Sequence, residues 1–541
     1  MRGGLNPFGV IWLSLPLLVA SGFAGREVCA QEDQHIVEVV RDHVNNIVHY
    51  RDKLLREPHR PTYHFVVPEG IAEPFDPNGA IFWNGRYHLF YIFQERRPRR
   101  AYRGDSWGHV SSHDLVHWRW HPTALQPGGL EVAIYSGNAF INKDGVPTIV
   151  YQGLGAGNCY ATSTDPNLDV WKKSPDNPVI PYPEVAAEED TAGWESHFRE
   201  ILRELPEYGK YDVWDPHAWL EGDTYYMISG DNGSWPYPES TLWKSENLTD
   251  WDFVGDFLHH DLPNVNEKWN VDCPDFFKLG DKHVLVLLGG GCRYYIGEWK
   301  NEQFHPEYHW RMIGSGAPES MLDDKGRRIM WAWVPDPYYG RRDQFILSRG
   351  WSGTLTLPRV LTLGDGVLHI EPVEELNVLR HDHTQLKNLA VTADSELRID
   401  DVAGDTLELD LTIDRGHADQ CGIKVRCSPG GEEETLILYD AEKKVIRIDT
   451  TNSTLDENYR REGSRRSKRE APFELKSGEL LNLRIFLDRS IMEVYVNKRQ
   501  CVTQRIYPSR EDSQGIVVFS KGGDIGIPVF DAWKMHPSNP W

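Results

Sequence analysis

Cysteine is scarce in this chain, and no two cysteines have the Cys-x-x-Cys spacing of common zinc sites. Seven cysteines occur among 541 residues, so disulfides are permitted but not required. Basic residues are also outnumbered: the chain has 58 Lys and Arg and 81 Asp and Glu, which gives a formal net charge of −23. Since nucleic-acid binding needs a basic face, this balance argues against nucleic acid as a general partner.

Several catalytic motifs are missing as well. The sequence has no P-loop, no Gly-x-Ser-x-Gly elbow, no His-Glu-x-x-His pair and no dinucleotide fingerprint. The corresponding nucleotide-binding, serine hydrolase and zinc protease classes are therefore excluded. No cluster of metal ligands is evident either, and the sequence predicts neither a metal nor a cofactor.

Long apolar runs are absent outside the first 30 residues. Arg2 is followed by an apolar stretch at 10–20 and by small residues ending at Ala30. This order is typical of a secretory signal peptide, and the alternative, a membrane anchor, is disfavoured because the run is short and contains Pro16. We predict a signal peptide over 1–30, a secreted or periplasmic location, and no stable membrane association after cleavage.

Aromatic residues, glycine and proline are plentiful. The chain has 20 Trp, 47 Gly and 34 Pro, and aromatic residues make up 11% of it. This composition favours a turn-rich, all-β protein over one built from long helices. Apolar residues with helical spacing follow the signal peptide, so residues 31–58 are predicted to be a helical lead-in. The oligomeric state is not predicted.

An internal repeat fills the next 300 residues. Each copy is a turn with Gly or Asp followed by an aromatic or β-branched strand; the copies are Gly85–Tyr91, Asp144–Tyr151, Gly222–Ile228, Gly280–Val286 and Lys325–Trp331. Three copies are followed by a polar segment ending in Leu-x-x-Trp, at Trp118, Trp171 and Trp251. Recurring short strands with Trp predict a five-bladed β-propeller over 59–362. The alternative is a set of ordinary hairpins in a large sandwich.

The pattern changes near residue 365. Alternating strands follow at 406–412, 422–427, 483–487 and 492–496. Period-two alternation with one polar face predicts a β-sandwich. We therefore predict a linker over 363–380 and a C-terminal β-sandwich over 381–541.

Three carboxylates stand at equivalent places in this repeat. Asp76 lies in Asp-Pro-Asn-Gly, Asp215 precedes the third repeat strand, and Asp272 precedes the fourth. Each motif alone also fits an ordinary turn. Because equivalent strands of a propeller converge on its channel, the three carboxylates could meet there. Crowded carboxylates divide into an acid and an anion, which glycoside hydrolysis needs.

Ordered motifs along most of the chain resemble glycoside hydrolase family 32, the invertase, levanase and inulinase group. The matching segments are Arg60–Phe65, Asp76–Gly79, Trp107–His109, Ser112–Trp118, Tyr135–Ala139, Asn177–Ile180, Cys273–Phe277, Gly326–Ile329, Gly353–Arg359, Asp488–Ser490 and Glu493–Val496. The resemblance implies a saccharide substrate and a β-fructofuranosidase-like enzyme that hydrolyses terminal fructosyl linkages of sucrose or fructans.

The resemblance also implies roles for individual residues in a retaining double displacement. Asp76 would be the nucleophile, Asp272 the acid/base, and Asp215 the stabiliser of the transition state. The implied sugar contacts are Asn78, Trp107, Ser136, Trp214 and Trp333.

The departures from the family pattern concern the sugar pocket. The family usually has Glu where this chain has Asp272, Arg where it has Trp214, and Asn where it has Phe75. Asp is shorter than Glu by roughly 1 Å, an error that can cost about a hundredfold in rate. Glu73 and Glu319 are alternative acid/base residues. The other functions left open are hydrolysis of a different furanoside, such as an arabinofuranoside, and a catalytically silent carbohydrate-binding protein.

Overall fold

The structure is a computed structural model that describes residues 52–67, 72–95, 104–182, 213–230, 240–258, 262, 265, 271–289, 291–336, 349–460 and 467–539. The predicted signal peptide lies outside these residues. Of the predicted lead-in, residues 52–56 are helical, and residues 31–51 lie outside the described part. In the described residues, no helix has the length and apolar character needed to cross a membrane.

Residues 72–372 contain five antiparallel sheets. The first has strands β1 to β4, at Ala72–Trp83, Arg86–Glu95, Ser106–Ser112 and Trp118–Trp120. The second has β5 to β9, at Ala133–Ile141, Pro147–Leu154, Gly157–Thr162, Lys172–Lys173 and Ile180–Pro181. In both sheets the first three strands pair in chain order.

The next three sheets repeat this order. The third has β10 to β13, at Pro216–Glu221, Thr224–Ser229, Thr241–Ser245 and Asp252–Asp256. The fourth has β14 to β17, at Asp272–Leu279, Lys282–Leu288, Cys292–Lys300 and Gln303–Met312. The fifth has β18 to β22, at Gly316–Leu322, Arg328–Val334, Thr354–Leu355, Arg359–Gly364 and Val367–Pro372.

The first strands of the five sheets lie next to one another. β1 contacts β5, β5 contacts β10, β10 contacts β14, β14 contacts β18, and β18 contacts β1. Apolar side chains fill the space between neighbouring sheets, such as Phe90 and Tyr151 between the first and second. The five repeat copies of the sequence are the turns and second strands β2, β6, β11, β15 and β19. Each copy therefore supplies the strand beside the central one.

The Leu-x-x-Trp segments form one recurring turn. Leu115, Leu168 and Leu248 all have positive φ angles, of 64°, 58° and 68°. In two copies the Trp indole N–H donates to the Leu carbonyl, from Trp171 to Leu168 and from Trp251 to Leu248, at 2.9 Å each. Because a left-handed Leu is unfavourable by itself, these bonds and the burial of the Leu side chains stabilise the turn.

Two six-stranded sheets form the C-terminal part. One has the order β23–β34–β25–β30–β31–β32, and the other has β24–β33–β26–β27–β28–β29. The strands β23 to β34 are Arg380–Val391, Ser395–Ala403, Thr406–Asp414, Gln420–Cys427, Thr435–Asp440, Val445–Asp449, Lys468–Pro472, Leu481–Asp488, Ile491–Val496, Gln500–Arg505, Gly515–Lys521 and Ile525–Met535. One apolar core, with Leu409 and Ile423 facing across it, joins both sheets.

The predicted linker 363–380 contains regular structure. β22 pairs with β21, which pairs with β19, so residues up to Pro372 extend the fifth sheet. A 3-10 helix at Glu374–Leu379 then leads into β23. The predicted strands of the C-terminal sandwich correspond to β25, β26, β30 and β31. Cys421 and Cys427 share β26, and all six described cysteines are buried and free of disulfides.

A buried ionic network joins the fifth sheet to the C-terminal sheets. Arg359 Nη2 donates to Glu493 Oε2 at 3.1 Å, and His64 Nε2 lies 3.5 Å from Glu493 Oε1. His64 Nδ1 lies 3.0 Å from Asp488 Oδ2, and all four side chains are fully buried. Burial raises the pKa of Glu493, but Arg359 and His64 reverse that effect and lower it to about 2.

The segment before β1 is held by the last part of the chain. The backbone N–H groups of Thr62, Tyr63 and His64 donate to the Asp488 carboxylate at 2.7 to 2.8 Å. The N–H groups of Ser538 and Asn539 donate to the Thr62 carbonyl at 3.1 and 3.0 Å. Residues more than 400 positions apart in the sequence therefore fix one another.

Candidate active site

Several of the predicted site residues stand at irregularities in the first strands of the sheets. Asp76 on β1 lies between Pro74 and Pro77, where the pairing register shifts. Ser136 on β5 lies in a shift between Ile134 and Gly137, and Asp272 begins a shift on β14 that ends at Asp275. Such bulges turn a side chain away from its regular direction. They explain how side chains from separate sheets point to one place.

The Asp-Pro-Asn-Gly turn is fixed by its own side chains. Asn78 Nδ2 donates to the Asp76 carbonyl at 2.7 Å, and Asn78 Oδ1 accepts from Gly137 N–H at 3.0 Å. Gly79 has φ of 55°, and a Cβ there would lie 2.9 Å from Phe90 and 3.0 Å from Trp107. Glycine is required here because both the conformation and the space exclude a side chain.

Trp107 supports this turn from inside the protein. Its side chain is fully buried, and its indole N–H donates to the Tyr135 carbonyl at 3.0 Å. The structure thus places the predicted sugar contact Trp107 behind Gly79, where it packs against the turn.

Glu319 also holds the turn. Its Oε1 accepts from the Ala80 N–H at 2.9 Å, and the side chain is buried. Burial raises the pKa of Glu319 well above its usual range, and the neighbouring Asp275 raises it further. This alternative acid/base residue therefore has its carboxyl engaged with the backbone of the turn. The side chain of Glu73, the other alternative, lies outside the described part of the structure.

Two of the predicted carboxylates meet at the sulfur of Cys273. Cys273 Sγ lies 3.5 Å from Asp76 Oδ2 and 3.4 Å from Asp215 Oδ2. Cys273 N–H also donates to Asp215 Oδ2 at 3.0 Å, and Ser136 Oγ donates to Asp76 Oδ2 at 2.7 Å. Side chains from three sheets therefore form one cluster. Asp272 precedes Cys273 directly and is partly exposed.

Cys273 is a site residue that sequence reasoning missed. It has a φ of 47°, a left-handed conformation that is uncommon for a residue with a side chain. Burial raises the pKa of its thiol well above the usual range, and Asp76, Asp215 and Asp272 add to this effect. The thiol therefore stays neutral and can donate to the carboxylates. The only signal in the sequence was its place as the first residue of the matched segment Cys273–Phe277, to which no role was given.

The carboxylates differ in their exposure and their protonation. Asp215 is buried, whereas Asp76 is partly exposed. Burial raises the pKa of Asp215 to about 7, and the charge of Asp76 contributes to the rise. The cluster therefore keeps one carboxyl that titrates near neutral pH beside carboxylates that solvent can reach.

Aromatic side chains border the cluster. Phe75, which precedes Asp76, stacks on Trp333 with ring centroids 4.5 Å apart. Trp214, which precedes Asp215, meets Tyr135 edge to face at 6.2 Å. Phe75 and Trp214 are both partly exposed. Phe75 and Trp214, two of the departures from the family pattern, thus provide apolar surfaces beside the carboxylates. Such surfaces suit the apolar face of a sugar ring.

Two family models match this chain. The "Glycosyl hydrolases family 32 N-terminal domain" matches residues 64–372, and the "Glycosyl hydrolases family 32 C terminal" matches residues 375–534. The chain belongs to glycoside hydrolase family 32. This confirms the resemblance found in the sequence and makes the chain a glycoside hydrolase. The alternative of a catalytically silent binding protein is set aside.

Curated relatives are similar over nearly the whole chain. A sucrose-6-phosphate hydrolase from Zymomonas mobilis is 29% identical, over 90% of this chain and 94% of its own length. A raffinose invertase from Escherichia coli is 29% identical, over 88% of this chain and 95% of its own length. These relatives support hydrolysis of fructosyl linkages in a saccharide substrate.

A solved structure shows the same fold. Fructan 1-exohydrolase IIa from Cichorium intybus has a TM-score of 0.74 and is 23% identical, over 89% of this chain and 98% of its own. The family fold is an N-terminal propeller followed by a C-terminal β-sandwich, so the predicted all-β class and the order of the two parts are confirmed.

The predicted secreted or periplasmic location is wrong. Several of the curated relatives are named sucrose-6-phosphate hydrolases. A sugar phosphate carries a charge that keeps it from crossing a bilayer unaided, so it is a substrate of the cell interior. The prediction of location rested on the apolar run within the first 30 residues, which lie outside the described part of the structure.

Proposed function

We propose that this enzyme hydrolyses terminal β-fructosyl linkages of sucrose or fructans by a retaining double displacement. The observation that carries the proposal is the cluster in which Asp76 and Asp215 both contact Cys273 Sγ, at 3.5 and 3.4 Å. Two carboxylates thus meet at one thiol, and Asp272, the residue before Cys273, is partly exposed. Paired carboxylates on either side of a glycosidic bond are what this chemistry uses.

Asp76 is the nucleophile in this mechanism. The Ser136 hydroxyl orients its carboxylate, and the Asn78 and Glu319 bonds fix the turn that carries it. Attack on the anomeric carbon forms a glycosyl-enzyme ester and breaks the bond to the leaving oxygen. Asp272 protonates that oxygen and then takes a proton from the water that hydrolyses the ester.

Asp215 stabilises the transition state in this mechanism. Its anionic form accepts hydrogen bonds from sugar hydroxyls and balances the positive charge that develops on the ring. Ser136, Trp214 and Trp333 remain the predicted residues around the sugar, whereas the predicted contacts Asn78 and Trp107 are buried and support the turn that carries Asp76. Among them, Trp333 with Phe75 offers a stacked aromatic wall beside Asp76.

The apolar side chains of Phe75 and Trp214 favour a second class of substrate. Phe75 and Trp214 replace polar family residues, and both are partly exposed beside the carboxylates. A furanoside with fewer hydroxyl groups to bind, such as an arabinofuranoside, fits a less polar pocket. The same carboxylates would then act by the same mechanism on a different sugar.

The five N-terminal sheets are the blades of a five-bladed propeller in this proposal. Support comes from the closed series of contacts between β1, β5, β10, β14 and β18. The boundaries at 59–362, 363–380 and 381–541 remain predictions, as does the absence of a cofactor.

Sugar release by the purified protein tests the proposal. The panel comprises sucrose, sucrose 6-phosphate, inulin, levan and aryl arabinofuranosides. We expect fructose release that Asp76→Asn reduces by about ten-thousandfold or more, because the covalent step is lost. Asp144→Asn, at an exposed turn of the second sheet, is the matched control and keeps the activity.

Each other result has a definite meaning. Release of arabinose alone would move the enzyme to the second substrate class. Full activity of Asp76→Asn, or release of a sugar with inverted configuration at the anomeric carbon, would contradict the retaining mechanism.

A further inference from the structure

Three histidine side chains and one aspartate side chain meet between the first and second sheets, outside the candidate active site. His88 lies on β2, His109 on β3, and His121 directly after β4. Asp169 lies in the turn between β7 and β8, 48 residues beyond His121. The imidazole rings of His109 and His121 stack with centroids 4.2 Å apart.

His109 directs an unpartnered nitrogen into this cluster. Its Nε2 lies 2.9 Å from His88 Nδ1, which is hydrogen-bond distance. Its Nδ1 has no hydrogen-bond partner among the described residues, although the side chain is only 1% exposed. Asp169 Oδ1 lies 3.9 Å from this nitrogen, which is too far for a hydrogen bond. A buried polar atom without a partner needs an explanation, and a bound ion is one that fits this cluster.

His121 faces the same carboxylate oxygen. Its Nδ1 lies 2.5 Å from Asp169 Oδ1, and its Nε2 lies 2.7 Å from Ser111 Oγ. Ser111, His121 and Asp169 have the connectivity of a hydrolytic triad, but the Ser111 side chain is fully buried and no substrate reaches it. Asp169 itself is 26% exposed, so one side of the cluster opens to solvent.

We propose that His109 Nδ1, His121 Nδ1 and Asp169 Oδ1 bind one divalent transition-metal ion of the zinc class. These three atoms lie within 4.8 Å of one another. Metal bonds of about 2.0–2.2 Å set ligand atoms roughly 3.3–3.5 Å apart in a tetrahedron. The observed distances of 2.5 and 3.9 Å from Asp169 Oδ1 fall on either side of that value. A water on the exposed side of Asp169 completes the coordination.

The outer contacts of both histidines suit this role. Metal-bound histidines generally donate their other N–H to a fixed partner. His109 Nε2 has His88 Nδ1 for this purpose, and His121 Nε2 has Ser111 Oγ. When the ion binds, the proton on His121 Nδ1 leaves the bond to Asp169 and a proton is held on Nε2 instead. His121 therefore stays neutral, and the ion takes the place between nitrogen and carboxylate.

The ion would tie two neighbouring sheets together. His109 and His121 belong to the first sheet, whereas Asp169 belongs to a turn of the second. An ion that binds the folded chain and not the unfolded chain stabilises the fold according to its affinity and concentration. The sequence predicted no metal because the ligands are 12 and 48 residues apart and share no motif with a known spacing.

Metal binding by the full chain without an affinity tag tests this proposal. The protein is treated with a chelator, dialysed and titrated with Zn²⁺, and the bound ion is counted by elemental analysis. Co²⁺ absorption then reports the coordination geometry. We expect one tightly bound ion per chain, a tetrahedral Co²⁺ spectrum, and a thermal midpoint that rises with Zn²⁺.

Asp169→Asn and His121→Gln are the decisive variants. Asp169→Asn keeps the size of the side chain and leaves in place the hydrogen bond that the Asp169 backbone N–H donates to Asp165 Oδ1. Each variant should weaken Zn²⁺ binding by more than about a hundredfold, because a direct ligand is lost. His117→Gln is the matched control, since His117 forms an exposed pair with Asp114 on the same sheet and should bind Zn²⁺ like the wild type.

Either of two results would overturn the proposal. One is a wild-type chain that binds no ion and has the same thermal midpoint with Zn²⁺ and with chelator. The other is an Asp169→Asn chain that binds Zn²⁺ as tightly as the wild type.

Discussion

The raised pKa of Asp215 makes the stability of the protein depend on pH. Burial and the nearby Asp76 raise its pKa to about 7, whereas an unfolded aspartate titrates near 3.8. Between these two values the folded chain binds a proton that the unfolded chain does not. The linked free energy of unfolding therefore falls as pH rises from about 4 to 7.

We predict that Asp215→Asn removes this dependence. The variant should have a free energy of unfolding that exceeds that of the wild type by about 4 kcal/mol at pH 8, and by little at pH 4. Urea unfolding of both chains across this range is the measurement. Asp223→Asn, at an exposed turn of the same sheet, should show no such change. A difference that is constant from pH 4 to pH 8 would contradict the assignment.

At this scale, part of the candidate site could be predicted from the sequence, through the repeat and the family motifs. Asp76, Asp215 and Asp272 were found because each stands before a repeat strand, and two of them now meet at one sulfur. Cys273 was missed because its importance lies in its backbone conformation, which the sequence does not display. The stack of His109 on His121 was missed because only the fold brings those residues together.

At the scale of the element, the Leu-x-x-Trp turn recurs with one geometry. Its left-handed Leu is held by the Trp indole N–H in the second and third sheets. The repeat was visible in the sequence because this turn needs a Trp at a fixed distance from the Leu. The extension of the fifth sheet to Pro372 was not visible, since β21 and β22 lack the repeat pattern.

We predict that Trp251→Phe destabilises the protein by about 1 kcal/mol, because the Leu248 carbonyl loses its donor. Trp171→Phe should give a similar loss, since Trp171 makes the same bond to Leu168. Denaturant unfolding of both variants checks the prediction. A neutral effect at both positions would show that the bond contributes nothing to the turn.

At the scale of the whole molecule, the buried network of His64, Arg359, Asp488 and Glu493 joins the two parts of the chain. Paired charges in such a place depend on one another, because removal of one leaves the other buried and uncompensated. Burial lowers the pKa of His64, but hydrogen bonds to Asp488 and Glu493 outweigh that effect and raise it above 6.5.

We predict that Glu493→Gln lowers the free energy of unfolding by roughly 3–5 kcal/mol, because Arg359 loses its counter-charge. In the wild type, the contribution of Glu493 should be present above pH 4.5 and lost as pH falls towards its folded pKa of about 2. That of His64 should be present below 6.5 and lost as pH rises past its raised pKa. Thermal unfolding across pH 2 to 9 measures both. A variant as stable as the wild type would contradict this role.

The hydrogen bonds that hold residues 62–64 affect the order in which the protein can fold during translation. Residues 62–64 hydrogen-bond to Asp488, and residues 538 and 539 hydrogen-bond to Thr62. During translation residues 62–64 emerge well before these partners, since Thr62 and Asp488 are 426 residues apart. While the nascent chain grows, the segment before β1 waits without its final contacts. The segment before β1 can therefore make its final contacts only after the strand that carries Asp488 has been synthesised.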